Sequence, residues 1–137
     1  MRRWFADSFF LIAALSKRDR FHRSCLTILR ELRTEIIATD WILLEVADAM
    51  ASRSSRGQCL ALLDFLRTHP HVTIIQASHE HFQKGLDLYA SRPDKDWPLT
   101  DCISFVIMQE QGISEALTGD RHFMQAGFRA LLSEIRQ

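Results

Sequence analysis

The stretch Trp97-Pro98-Leu99-Thr100-Asp101-Cys102-Ile103-Ser104-Phe105-Val106-Ile107-Met108 decides how the rest of the chain is read. Pro98 suits the first turn of a helix, where its missing N–H costs nothing. The run from Ile103 to Met108 then leaves almost no polar face. A helix that is apolar all round must be buried. Asp101 nevertheless sits in its first turn, near the positive end of the helix dipole, where an acid is held ionised and directed at one point.

Downstream of this helix, Gly112 ends it, Ala116-Leu117-Thr118 reads as a short strand, and Gly119-Asp120 turns into a helical stretch from Arg121 to Ala126 that Gly127 closes. A weak further strand falls near Ala130-Leu131-Leu132. Upstream lie the loop Ser91 to Trp97, a helix that Ser78 can cap with Phe82, Leu86 and Tyr89 on one face, and the clearest strand, Val72-Thr73-Ile74-Ile75. A helix carrying Cys59, Leu62, Leu63 and Leu66 is stopped by His69-Pro70. Before it, Ile36-Ile37-Ala38 reads as a strand, and Thr39 or Asp40 can cap a helix from Trp41 to about Ala51. Asp19 is a candidate cap for the helix of Phe21, Cys25, Ile28, Leu29 and Leu32. The chain starts as strand, acid, helix: Arg3 to Ala6, Asp7, then Phe9 to Leu15.

Strands separated by helices imply parallel pairing through helical crossovers, hence an α/β fold whose central parallel sheet of four to five short strands is covered on both faces. With 137 residues the chain is read as a single domain over residues 1–137. Seventeen basic and seventeen acidic residues cancel, so no bulk field draws the protein to nucleic acid or membrane, and an anionic partner must be held by local charge. Lys17, Lys84 and Lys95 are the only lysines, the other basic residues being arginines, which grip phosphate through two hydrogen bonds at once.

Cys25, Cys59 and Cys102 are widely spaced among apolar neighbours, which reads as buried thiols of a cytoplasmic protein. The opening Met1-Arg2-Arg3 and the apolar run Phe9 to Leu15 imitate a signal peptide, but Asp7 and Lys17-Arg18-Asp19-Arg20 spoil the pattern. No window approaches the ~20 apolar residues of a membrane span.

In parallel α/β sheets the ligand crevice lies beyond the carboxyl ends of the strands. Asp7 and Asp120 both stand at that edge, Asp101 approaches it if its helix packs over the sheet, and Glu45 shares an inward face with Trp41, Ile42 and Ala49. Each has a plainer reading. Asp7 and Asp120 can be helix caps, Asp101 can complement a dipole, and Asp48 can be the inward acid instead of Glu45. Asp94 and Asp96 read as solvated loop acids. Four carboxylates in one crevice would repel one another unless a cation neutralised them, and an all-oxygen set suits Mg²⁺ or Mn²⁺. No His or Cys has a metal-binding spacing beside these acids, which argues against Zn²⁺. One or two such ions can activate a water and stabilise an in-line phosphodiester displacement.

The pieces Phe5-Ala6-Asp7-Ser8, Leu43-Leu44-Glu45-Val46, Leu99-Thr100-Asp101-Cys102-Ile103-Ser104 and Leu117-Thr118-Gly119-Asp120-Arg121-His122-Phe123 resemble the PIN-domain family, and in size the chain is similar to the VapC-type toxins of bacterial toxin–antitoxin pairs. The likeness runs from about Arg3 past Phe128. It implies a PIN-like three-layer α/β/α fold and a metal-dependent endoribonuclease in which Asp7, Glu45, Asp101 and Asp120 hold Mg²⁺ or Mn²⁺. It also implies that Ser8 or Thr118 supplies a supporting hydroxyl.

Arg18, Arg20 and Arg23 form the densest basic run and, with Arg121 and His122 beside Asp120, are candidate RNA contacts. A toxin implies an antitoxin partner, and the family implies a homodimer, for which the helix pair Asp40 to Arg67 offers a surface. The competing reading is a non-catalytic RNA-binding or phosphate-responsive, receiver-like module. Its lysine after a late strand is missing here, and Asp7-Ser8-Phe9 lacks the second acid of an Asp-x-Asp phosphatase. An RNA-processing PIN protein without an antitoxin is a further alternative.

Overall fold

In the computed structural model, which describes residues 2–135, strand and helix alternate along the chain. The elements in order are β1 (Arg3–Ala6), α1 (Ser8–Leu15), α2 (His22–Arg30), β2 (Glu35–Thr39), α3 (Asp40–Ala49), α4 (Arg56–Thr68), β3 (Val72–Ile75), α5 (His79–Ser91), α6 (Leu99–Gln111), β4 (Glu115–Leu117), α7 (Arg121–Gln125) and β5 (Arg129–Ala130). A 3₁₀ turn, Leu131–Glu134, follows. The five strands form one sheet, order β3-β2-β1-β4-β5, parallel throughout.

From β1 the chain steps outward to β2 and β3, then returns across the sheet to β4 on the other side of β1. Right-handed crossovers put the helices of the outward steps on one face and those of the return on the opposite face. The principal helix contacts divide in that way, with α1, α2, α3 and α4 linked to one another and α5, α6 and α7 linked separately. The reversal of direction lies between β1 and β4, where the carboxyl ends of two neighbouring strands open a crevice. There the backbone N–H of Asp7 still bonds the carbonyl of Leu117, 3.3 Å away, so the two edges are held together up to the last residue of the strands.

The helix that opened the sequence reading is buried on every side but one, with Asp101, Cys102, Ile103, Ser104, Phe105, Ile107 and Met108 all inside. Pro98 stands just before the first turn, at φ −60°, and Gly112 takes the left-handed conformation, φ 67°, that ends the helix. Gly85 of α5 lets α6 approach: a Cβ on it would lie 2.3 Å from Cγ1 of Ile103. Trp97, Phe105, Phe123 and Phe5 form an aromatic column, with Trp97–Phe105 and Phe105–Phe123 edge-on at 5.1 and 5.0 Å between ring centres. The column ties the start of α6 and the start of α7 to β1. All three elements carry acids of the crevice.

Small shifts separate expectation from structure. β4 begins one residue earlier than the pattern suggested, β5 ends before Leu131, and α2 starts at His22 because Asp19 instead accepts the N–H of Phe21 in a tight turn at 2.8 Å. Cys25, Cys59 and Cys102 are buried free thiols. Among the described residues no helix is long and apolar enough to cross a membrane.

Candidate metal centre

Asp7, Glu45, Asp101 and Asp120 all line one cleft of about 360 Å³, with Ser8, Phe9, Ile12, Asp19, Ala49 and Pro98 completing its walls. The four acids come from the end of β1, the inward face of α3, the first turn of α6 and the turn after β4. Asp48 is exposed and outside this wall, so Glu45 is the inward acid of α3. Asp96 is exposed and lies on a neighbouring hollow, while Asp94 pairs with Arg92 at 2.8 Å.

Asp7 is 3% exposed and occupies the cap position of α1, but its side chain makes no capping bond. Its Oδ2 accepts the hydroxyl of Thr118 at 2.8 Å, and its Oδ1 is buried with no hydrogen-bond partner at all. A buried carboxylate oxygen without a donor is costly, and an uncompensated one calls for a missing partner. Burial, then the nearby charges of Asp101 and Glu45, push the Asp7 carboxyl up to about 7, against the opposing pull of the Thr118 hydroxyl and, more weakly, of the Ser8 backbone N–H. Asp101, 5% exposed, is pushed up to about 6, chiefly by burial and then by Asp120 and Glu45, while a hydrogen bond from His122 pulls the other way.

The hydroxyls sit where support is needed. Thr118 donates to Asp7 and its oxygen accepts the backbone N–H of Asp120 at 3.0 Å, linking two of the acids through one side chain. Ser8 donates to Oε1 of Glu45. Asp120 fills two roles at once, since Oδ1 caps α7 by accepting the N–H of His122 at 2.9 Å while the side chain faces the cleft.

His122, read from the sequence as a possible RNA contact, lies beside two of the acids. Its spacing to the acids gave no metal signal, yet Nδ1 lies 3.0 Å from Oδ2 of Asp101 and 3.3 Å from Oδ1 of Asp120. The three residues each offer an atom such that all lie within 4.8 Å of one another. Twenty-one positions separate Asp101 from His122, so only the packing of α7 against α6 brings them together. The one local sign was the histidine's place two residues after a helix-capping acid.

Of the arginines, Arg20 lies over the ring of Phe21 at 4.7 Å and borders a hollow that shares Phe9 and Asp19 with the acidic cleft. Arg18, Arg23 and Arg121 are exposed and line neither hollow. His22 bonds the carbonyl of Ala13 at 2.9 Å and serves the α1–α2 connection.

Comparison with solved structures finds this architecture in a Mycobacterium tuberculosis toxin, VapC20, described as cleaving the sarcin–ricin loop, at TM-score 0.80 over 90% of this chain and 95% of that one with 18% identity. The fold is that of the VapC toxins. Two further VapC-like matches are DNA-bound VapBC assemblies: VapBC2 of Rickettsia felis, with a promoter fragment (TM-score 0.65, 12% identity, 93% and 96% coverage), and VapBC of Salmonella typhimurium (0.64, 13%, 95% and 97%). No protein-family model and no curated protein sequence matches the chain. The PIN-like α/β/α architecture expected from the sequence is thus the fold observed, with five parallel strands.

Proposed function

We propose that the protein is a divalent-metal-dependent endoribonuclease and the toxin of a toxin–antitoxin pair. The observation that carries this reading is the partnerless, buried Oδ1 of Asp7 in a cleft also lined by Glu45, Asp101 and Asp120. Such a set fits a hard dication: oxygen donors, excess negative charge, and carboxyls that burial and mutual repulsion push up. Asp7, Asp101, Asp120 and Glu45 would hold Mg²⁺ or Mn²⁺. Such an ion, when bound, would lower the pKa of a water and neutralise charge developing at the scissile phosphodiester.

The chain's own groups do the rest. Thr118 fixes the rotamer of Asp7 and the turn of Asp120, so both carboxylates are held before substrate arrives. Ser8 orients Glu45 in the same way. Arg20, stacked on Phe21 beside the cleft, is placed to take a backbone phosphate of the RNA, with Arg18, Arg23 and Arg121 as further contacts along the approach. RNA as the substrate is supported by the fold shared with a toxin that cleaves the sarcin–ricin loop, and an antitoxin partner by the VapBC assemblies of the same fold. For a homodimer, the exposure of Leu44 and Leu60, 59% and 66% on α3 and α4, supports that helix pair as the surface. Three buried thiols suit work in the cytoplasm.

The test is cleavage of RNA by the purified protein with Mg²⁺ or Mn²⁺, with and without EDTA, for wild type and Asp101→Asn. Cleavage confined to metal-loaded wild type is expected. Equal cleavage, or none, under all four conditions overturns the reading.

A further inference from the structure

We propose that His122 is itself a ligand of the cation, through Nδ1, and that the centre is therefore a mixed nitrogen–oxygen site favouring Mn²⁺ over Mg²⁺. This rests on the metal-centre reading above. Neighbouring ligands on an octahedral ion with bonds of ~2.1 Å stand ~3 Å apart. Nδ1 is 3.0 Å from one carboxylate oxygen of Asp101 and 3.3 Å from one of Asp120, so both separations from the ring match that spacing, and ligand atoms of all three residues lie within 4.8 Å of one another. Among the described residues no side chain bonds Nε2. In the tautomer with its proton on Nε2, the Nδ1 lone pair faces the carboxylate oxygens of Asp101 and Asp120.

The backbone that carries the ring is also fixed in advance. Its own backbone N–H is bonded by Asp120, and the next residue, Phe123, is fully buried against Phe5 and Phe105. A side chain so anchored meets the cation without reordering the turn. The independent sign that the cluster awaits a cation is the unpartnered Oδ1 of Asp7, on the cleft that Asp101 and Asp120 also line. An imidazole nitrogen in the ligand set suits the later divalent metals more than Mg²⁺, which prefers oxygen.

The experiment uses the full-length protein, stripped of metal with EDTA and titrated with Mn²⁺. Pulsed electron paramagnetic resonance reads nitrogen bonded directly to Mn²⁺, and ¹⁵N-histidine labelling assigns it. A nitrogen coupling in wild type that changes on labelling and disappears in His122→Gln is expected. By calorimetry His122→Gln should weaken Mn²⁺ binding and leave Mg²⁺ nearly unchanged. Mn²⁺ bound without nitrogen coupling, or both ions weakened alike, overturns the proposal and leaves His122 as a donor that orients Asp101. Absence of Mn²⁺ binding in wild type and Asp101→Asn alike overturns the metal centre as a whole. Should His122→Gln fail to fold, the labelled wild-type spectrum alone decides.

Discussion

At the scale of single residues, the sequence left two readings of Asp7 open, helix cap or ligand, and its hydrogen bonds separate them. The residue has the backbone of a cap but gives its side chain to Thr118, leaving one oxygen bare. Asp120 shows that the readings need not compete, since a capping oxygen and a cleft-lining carboxylate coexist on one side chain. The four acids were legible because each follows a strand or stands on an otherwise apolar helix face. His122 was legible only as a neighbour of Asp120, because its second partner, Asp101, comes from a different helix. Carboxylates held against their preference for ionisation cost stability. Asp7→Asn should therefore raise the melting temperature of the metal-free protein by a few degrees while abolishing the shift that Mn²⁺ produces in wild type, both read by differential scanning fluorimetry. A variant that melts lower without metal contradicts this account of Asp7.

At the scale of elements, the strand and helix order could be read from alternation and caps: Thr39 and Ser78 cap α3 and α5, accepting the N–H of Ile42 and His81. The ends were less legible. β5 is only two residues long, since Leu131 onward turns into a 3₁₀ helix, and apolar residues look alike in either state. Nor did the sequence disclose why Gly85 stands mid-helix, where glycine is unfavourable. Its reason is tertiary, the backbone of α6 passing so close that a Cβ would also meet Cα of Ile103 at 3.1 Å. Gly85→Ala should cost about 1–3 kcal/mol in urea unfolding. Combined with Ile103→Ala it should cost less than the two changes summed, because the second removes the obstructing carbon. Strict additivity would show that α5 and α6 do not meet as described.

At the scale of the whole molecule, alternation foretold a parallel sheet but not its order, because nothing local says that the chain returns past β1 to place β4 beside it. That return creates the crevice and brings acids from both faces of the sheet to one edge. Its electrostatic consequence is global. Burial and the neighbouring carboxylates push Asp7 up to about 7 from the 3.8 of an ordinary aspartate, a separation on the order of 4 kcal/mol. Between those values the folded state binds the extra proton, so stability is greatest below about 4 as far as this group is concerned and declines as pH rises toward 7. Asp101, raised to about 6, adds in the same direction. In EDTA the melting temperature should fall from pH 5 to pH 7.5, and Mn²⁺ should restore more of it at pH 7.5 than at pH 5, where protons compete for the same oxygens. A metal-free protein equally stable at both values would contradict the burial assigned to these acids.

The central claim is that Asp7, Glu45, Asp101 and Asp120 converge to hold a divalent cation, and anomalous diffraction from crystals soaked in Mn²⁺ tests it most directly. A peak inside the cleft, within ~2.0–2.3 Å of oxygens of Asp7 and Asp101, is expected for wild type and is lost in Asp101→Asn. Anomalous peaks confined to surface carboxylates, with the cleft empty at saturating Mn²⁺, would contradict it.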